Sequence, residues 1–118
     1  MRAKKVQIDH DFQDDGLFAI TFYFEEDVVP YYITLSRDEL EDPDVIYFEA
    51  HDQIHSFKSK EIKYTFKDNI FSLDLTNDVV NFFYWNHKKK IEVIINEGME
   101  DINICLQRIF DLGRKFKI

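Results

Sequence analysis

The sequence predicts an α+β domain: a mostly antiparallel sheet of six or seven strands, a short helix near 77–85 and a C-terminal helix packed on one face. Two observations carry this. The chain holds 12 Phe and 6 Tyr against only 3 Gly in 118 residues, and aromatic richness favours pleated, half-buried strands over helices. Apolar residues also recur at every second position through most of the chain and at helical spacing only near its end. The length fits one domain, 1–118, with enough chain to bury roughly two thirds of its unfolded surface.

The elements follow in order. Val6 and Ile8 mark a short alternating strand, and the turn-forming Asp14-Asp15-Gly16 leads into Leu17 to Phe24, where Phe18, Ile20, Phe22 and Phe24 share one face. A third strand is expected from Tyr31 to Ser36 after Pro30, and a fourth from Val45 to Ala50. Between them lies the acidic segment Arg37 to Asp44, read as a loop. Ile62, Tyr64 and Phe66 alternate with polar residues, as do Phe71, Leu73 and Leu75, and Lys67-Asp68-Asn69 between them suits a hairpin turn. Val79, Val80, Phe82 and Phe83 recur at helical spacing behind Asn77 and Asp78, which suit an N-terminus. A last strand spans Ile91 to Ile95. The closing helix runs from Met99 to Leu112 with Ile102, Leu106, Ile109 and Phe110 inward, Glu100 and Asp101 at its positive end and Gly113 at its stop.

Charge is unevenly spread. Residues 1–52 carry 14 acidic and 4 basic side chains, a net of −10, while residues 53–118 carry 9 acidic and 11 basic, a net of +2. A concentrated negative surface attracts basic proteins and repels nucleic acid and anionic membranes. The run Lys88-Lys89-Lys90 beside Trp85 is too narrow for a nucleic-acid footprint against a net charge of −8. No apolar run approaches a membrane span and the start of the chain lacks an apolar signal core, so a cytoplasmic protein is expected. The single cysteine, Cys105, excludes an intrachain disulfide.

No constellation for catalysis stands out. His51 and His55 are four apart, but on a strand that places them about 13 Å from each other, too far to share an ion. Cys105 lies within one helical turn of Ile102, Leu106 and Ile109, the setting of a packing residue. The pairs Glu25 with Asp27 and Glu39 with Asp42 sit in polar stretches, where neither pKa is raised by burial. The three glycines are too scattered for a phosphate loop. No catalytic residue, metal or cofactor is expected, and binding through the surface is left.

The acidic clusters Glu25-Glu26-Asp27 and Asp38-Glu39-x-Glu41-Asp42-x-Asp44 flank the strand Tyr31 to Ser36. They are expected to form one negative surface matched to a basic cleft, with exposed aromatics such as Tyr31, Tyr47 or Trp85 as anchors.

Tyr31 through Phe110, about two thirds of the chain, resembles the tenth family of polymorphic-toxin immunity proteins. The resemblance rests on a strand leading into an acidic loop, Ile33-Thr34-Leu35-Ser36-Arg37, and on a strand ending in an acidic, Gln-containing segment, Tyr47-Phe48-Glu49 with Asp52-Gln53. It continues through a hairpin, Ile62 to Leu75, to a final helix closing on Leu106-Gln107-Arg108-Ile109-Phe110. What it implies is a stoichiometric inhibitor that occludes a cognate toxin, for instance a nuclease with a basic cleft, and adds Glu49, Asp52 and Gln53 to the candidate contacts. The competing expectation is an adaptor or assembly subunit whose acidity serves solubility.

Overall fold

In the computed structural model the alternating runs become, among the described residues, eight antiparallel strands in two sheets and one helix. The structure describes residues 1–10, 15–25, 27, 30–75 and 90–114. The five-stranded sheet is a meander of β1 (Lys5–His10), β2 (Leu17–Tyr23), β3 (Tyr32–Asp38), β4 (Asp42–Ala50) and β5 (Asp52–Ser59), each strand paired with the next. The three-stranded sheet is β6 (Lys63–Lys67), β7 (Ile70–Asp74) and β8 (Lys90–Ile94), and α1 spans Met99–Ile109. The α+β class is as expected, but six or seven strands in one sheet become five and three. The helix expected near 77–85 lies outside the described residues.

Period-two alternation sets the two faces of each sheet. In the larger sheet Phe22 with Ile33, and Ile20 with Leu35 and Phe48, are cross-strand partners on the inner face, all buried. Phe71, Leu73, Ile91 and Val93 form the inner face of the smaller sheet. The two faces meet where Phe22 stacks on Phe71, with ring centroids 5.0 Å apart. Ile102, Cys105, Leu106 and Ile109 bring α1 into this same core against β1 to β3.

The N-terminal residues tie the sheets together. Ala3 N–H donates to Ile94 O at 2.9 Å and Ile94 N–H to Met1 O at 2.7 Å, a parallel bridge onto β8, and Lys4 N–H then donates to Tyr23 O at 2.7 Å on β2.

Two differences from the expected elements matter for the site. β5, which no expected element covers, is a full edge strand on β4. The segment 37–44 is not a loop: β3 runs on to Asp38 and β4 begins at Asp42, leaving a tight turn at 39–41. Asp38 holds that turn, its Oδ1 accepting from the backbone N–H groups of Leu40 at 3.0 Å and Glu41 at 2.9 Å. Among the described residues no helix is long and apolar enough to cross a membrane.

Candidate functional site

A meander dictates where its turns lie. The β1–β2 and β3–β4 connections share one end of the large sheet, and the β2–β3 connection lies at the other. Asp15 and the 38–44 turn therefore meet, joined by Glu39 N–H donating to Gly16 O at 2.8 Å. Glu25 and Asp27, both exposed, stand at the far end of β3, about 20 Å away at the rise of a strand. That separation exceeds two Debye lengths at physiological salt. The single acidic surface expected around β3 is thus two: an acidic end built from Asp15, Asp38, Glu41, Asp42 and Asp44, and a smaller cluster where Glu25 lies 4.0 Å from Lys4. Glu26 lies outside the described residues.

Glu39 belongs to neither, which corrects its reading as a surface contact. Its carboxylate is buried among two guanidiniums, accepting from Arg37 Nη2 at 3.0 Å and from Arg108 Nε at 2.6 Å and Nη2 at 2.8 Å. Arg37 is itself 1 % exposed. Its remaining donors reach backbone carbonyls: Ile109 O at 2.8 Å, Arg114 O at 2.9 Å, Pro43 O at 3.2 Å and Arg108 O. Two of these, Ile109 O and Arg108 O, lie at the C-terminal end of α1, the latter also accepting from Asp111 N–H at 3.3 Å, so the cluster caps the helix and fastens it to the β3–β4 turn. Gly113 N–H adds a bond to Pro43 O at 2.8 Å. Burial is the main reason the Arg37 guanidinium is held below its ordinary range, with Glu39 opposing it. Glu39 and Asp42 do not face each other as an acid–base pair, since Asp42 turns outward to Lys58 at 3.2 Å.

The outer face of the large sheet brings together the other candidates. Cross-strand pairing sets Thr21, Thr34, Glu49 and Ser56 in one row, with Tyr23 and Tyr32 in the row on one side and Ala19, Ser36, Tyr47 and Lys58 in the row on the other. Glu49 accepts from two phenols, Tyr47 at 2.8 Å on Oε1 and Tyr32 on Oε2. Burial first, and then the Glu49 carboxylate, raise the Tyr47 hydroxyl above the usual tyrosine range against the opposing pull of Ser56 and Lys58, so it stays a neutral donor. Tyr31 is exposed and lies 6.0 Å from Tyr23 and 6.5 Å from Tyr32, ring to ring, while Lys5 sits over Tyr23 at 5.8 Å. Tyr31 N–H donates to His51 Nδ1 at 3.0 Å, fixing the loop edge against the β4–β5 turn.

Tyr31, Tyr47 and Glu49 therefore share one surface. Tyr23 and Tyr32 join it and were not singled out from the sequence, although strand parity alone puts both opposite the buried phenylalanines. Asp52 and Gln53 lie on β5, where Asp52 pairs with Ala50 in the backbone; their side chains, like Trp85, lie outside the described residues. Cys105 is buried and its Sγ points to Ala19 O at 3.7 Å, and burial first, then Asp9, push the thiol up to about 12. It packs as a neutral thiol. Among the described residues no group of three or more His, Cys, Asp and Glu side chains is placed to hold a metal ion.

No family model, curated protein or solved structure matches the chain.

Proposed function

We propose that this protein is an immunity protein that binds and neutralises a cognate bacterial toxin by stoichiometric protein–protein inhibition. The observation that carries the reading is the outer face of the large sheet, where four tyrosines and Glu49 form a connected polar–aromatic surface. Tyrosine-rich surfaces supply large, rigid contact area at small entropic cost, and aromatics dominate binding energy at protein interfaces. The acidic end adds long-range attraction for a basic partner, such as a nuclease with a basic cleft. The resemblance of residues 31–110 to the immunity family points the same way.

On this reading the tyrosine face supplies contact and the acidic end supplies approach. Leu40, exposed at 43 % within the acidic turn, gives that end an apolar point among its carboxylates. The test is to co-express the chain with the product of its neighbouring gene and score growth. Rescue by the intact chain is the expected result, and no rescue overturns the proposal. With a toxin in hand, replacing Asp38, Glu41, Asp42 and Asp44 by their amides should lower the association rate at low salt by roughly tenfold and much less at high salt.

A further inference from the structure

The geometry points to Glu49 as the seat for an arginine side chain of the protein that docks on this face, an inference that deepens the toxin-binding reading and rests on it for the partner's identity. Glu49 stands near the middle of the outer face, half-buried, yet among the described residues it has no basic partner. Basic side chains of the large sheet and of α1 are engaged elsewhere: Lys58 with Asp42 at 3.2 Å, Lys5 over the Tyr23 ring, and Arg37 and Arg108 with Glu39 in the interior.

Each carboxylate oxygen of Glu49 accepts one phenolic hydroxyl, which leaves each with capacity for a second donor. Two bonds from two different strands also fix the plane of the carboxylate. A fixed, half-desolvated carboxylate with one open site on each oxygen matches the planar fork of a guanidinium better than the point charge of an ammonium.

Small side chains surround Glu49: Thr21 and Thr34, whose hydroxyls bond each other at 2.9 Å, share its row, and Ala19 and Ser36 lie in the next, with Ala19, Thr21 and Ser36 buried. Tyr23, Tyr32 and Tyr47 rise around it, and aromatic faces favour a guanidinium laid against them.

The test uses the isotopically labelled full chain titrated in separate NMR experiments with N-acetyl-arginine amide, N-acetyl-lysine amide and the uncharged N-acetyl-citrulline amide. The arginine compound is expected to shift resonances of residues 32, 34, 47, 49 and 56, saturating in the millimolar range. The lysine compound should bind at least about fivefold more weakly, and citrulline not at all. Glu49→Gln should abolish the response, and Tyr32→Phe, which keeps the ring, should weaken it about threefold, with the remaining amide spectrum of each unchanged. Equal binding of arginine and lysine overturns the inference, as do shifts centred on residues 38–44 or a response that survives Glu49→Gln. Growth rescue separates the two proposals. Arginine binding without rescue overturns the toxin reading and leaves the site standing, whereas rescue without arginine binding overturns the site alone.

Discussion

Arg37→Met is the substitution that most directly tests the account of how this molecule is held together. Methionine keeps most of the stem, so the cavity it leaves is small. What is lost is the guanidinium that satisfies four backbone carbonyls and one oxygen of Glu39. Removing one member of a buried ion pair costs about 3–5 kcal/mol, because the partners stay buried without compensation. Glu39 keeps its two bonds to Arg108, which places the expected loss toward the lower end, about 3 kcal/mol. Against a total of roughly 6–18 kcal/mol for a domain of this length, that is a large fraction. With an m-value near 2 kcal/mol per molar urea, the unfolding midpoint should fall by about 1.5 M. Glu39→Leu alone should cost at least as much, since it strands Arg37 in the core. The double variant should cost less than the sum by more than about 1 kcal/mol, because Arg108, partly exposed, can turn to solvent. A midpoint shift below about 0.5 M for Arg37→Met, or strict additivity of the pair, would refute the cluster as a tertiary lock.

Three further outcomes are expected. Gly16 has φ +77°, and a Cβ there would sit 2.9 Å from Leu40 Cγ, so Gly16→Ala should destabilise by about 2 kcal/mol in urea unfolding, part of it recovered in combination with Leu40→Ala. The β6–β7 turn holds Asp68 and Asn69 at φ 52° and 66°, and Asn69→Gly should raise stability by about 0.5 kcal/mol by relieving the left-handed conformation. Cys105 keeps its proton to about 12 in the folded chain, whereas an unfolded thiol ionises near 8.5. The unfolded state therefore loses its proton first, and the stability this thiol contributes, whole below about 8.5, drains away as pH rises toward 12, by at most about 1.4 kcal/mol per pH unit. Urea unfolding of the wild type and Cys105→Ala at pH 8, 9 and 10 should show the wild type falling faster, and parallel curves would contradict the burial argument.

How much of this was legible in the sequence depends on how local its cause is. Seven of the eight strands were visible as alternation, because parity alone decides which side chains of a strand face the core. The turn at Asp68-Asn69 was visible because few residue pairs tolerate two positive φ angles. β5 was not, since Asp52–Ser59 holds only Ile54 and Phe57 as apolar residues at odd spacing, and the strand exists through its pairing with β4. The division into two sheets was hidden for a related reason: parity assigns faces and says nothing about which hairpins join. At the candidate site, Tyr31, Tyr47 and Glu49 were named but not their common surface, which register alone creates. Arg37 and Glu39 were misplaced by their charge. They extend the core-facing stripe of Ile33 and Leu35 by two more steps of the same parity, and what makes burial tolerable, Arg108 and the end of α1, lies some seventy residues away.

The acidity of the first half of the chain thus serves separate ends, and the buried share conditions the exposed share. Glu39 draws the β3–β4 turn inward against α1, Arg37 and Gly113 fasten it to the helix end, and Asp38 closes the turn on itself. The carboxylates of Glu41 and Asp44 consequently emerge from a backbone bonded on both sides, not from a free loop. A charge on a fixed backbone loses less conformational freedom when a partner docks, so more of its attraction survives as affinity. The same holds for Glu49, whose two tyrosine bonds order it before any partner arrives. If binding is the use of this surface, the interior ion cluster is part of the binding apparatus without touching the partner. Loosening it should then raise the dissociation rate even where every exposed acidic residue is intact.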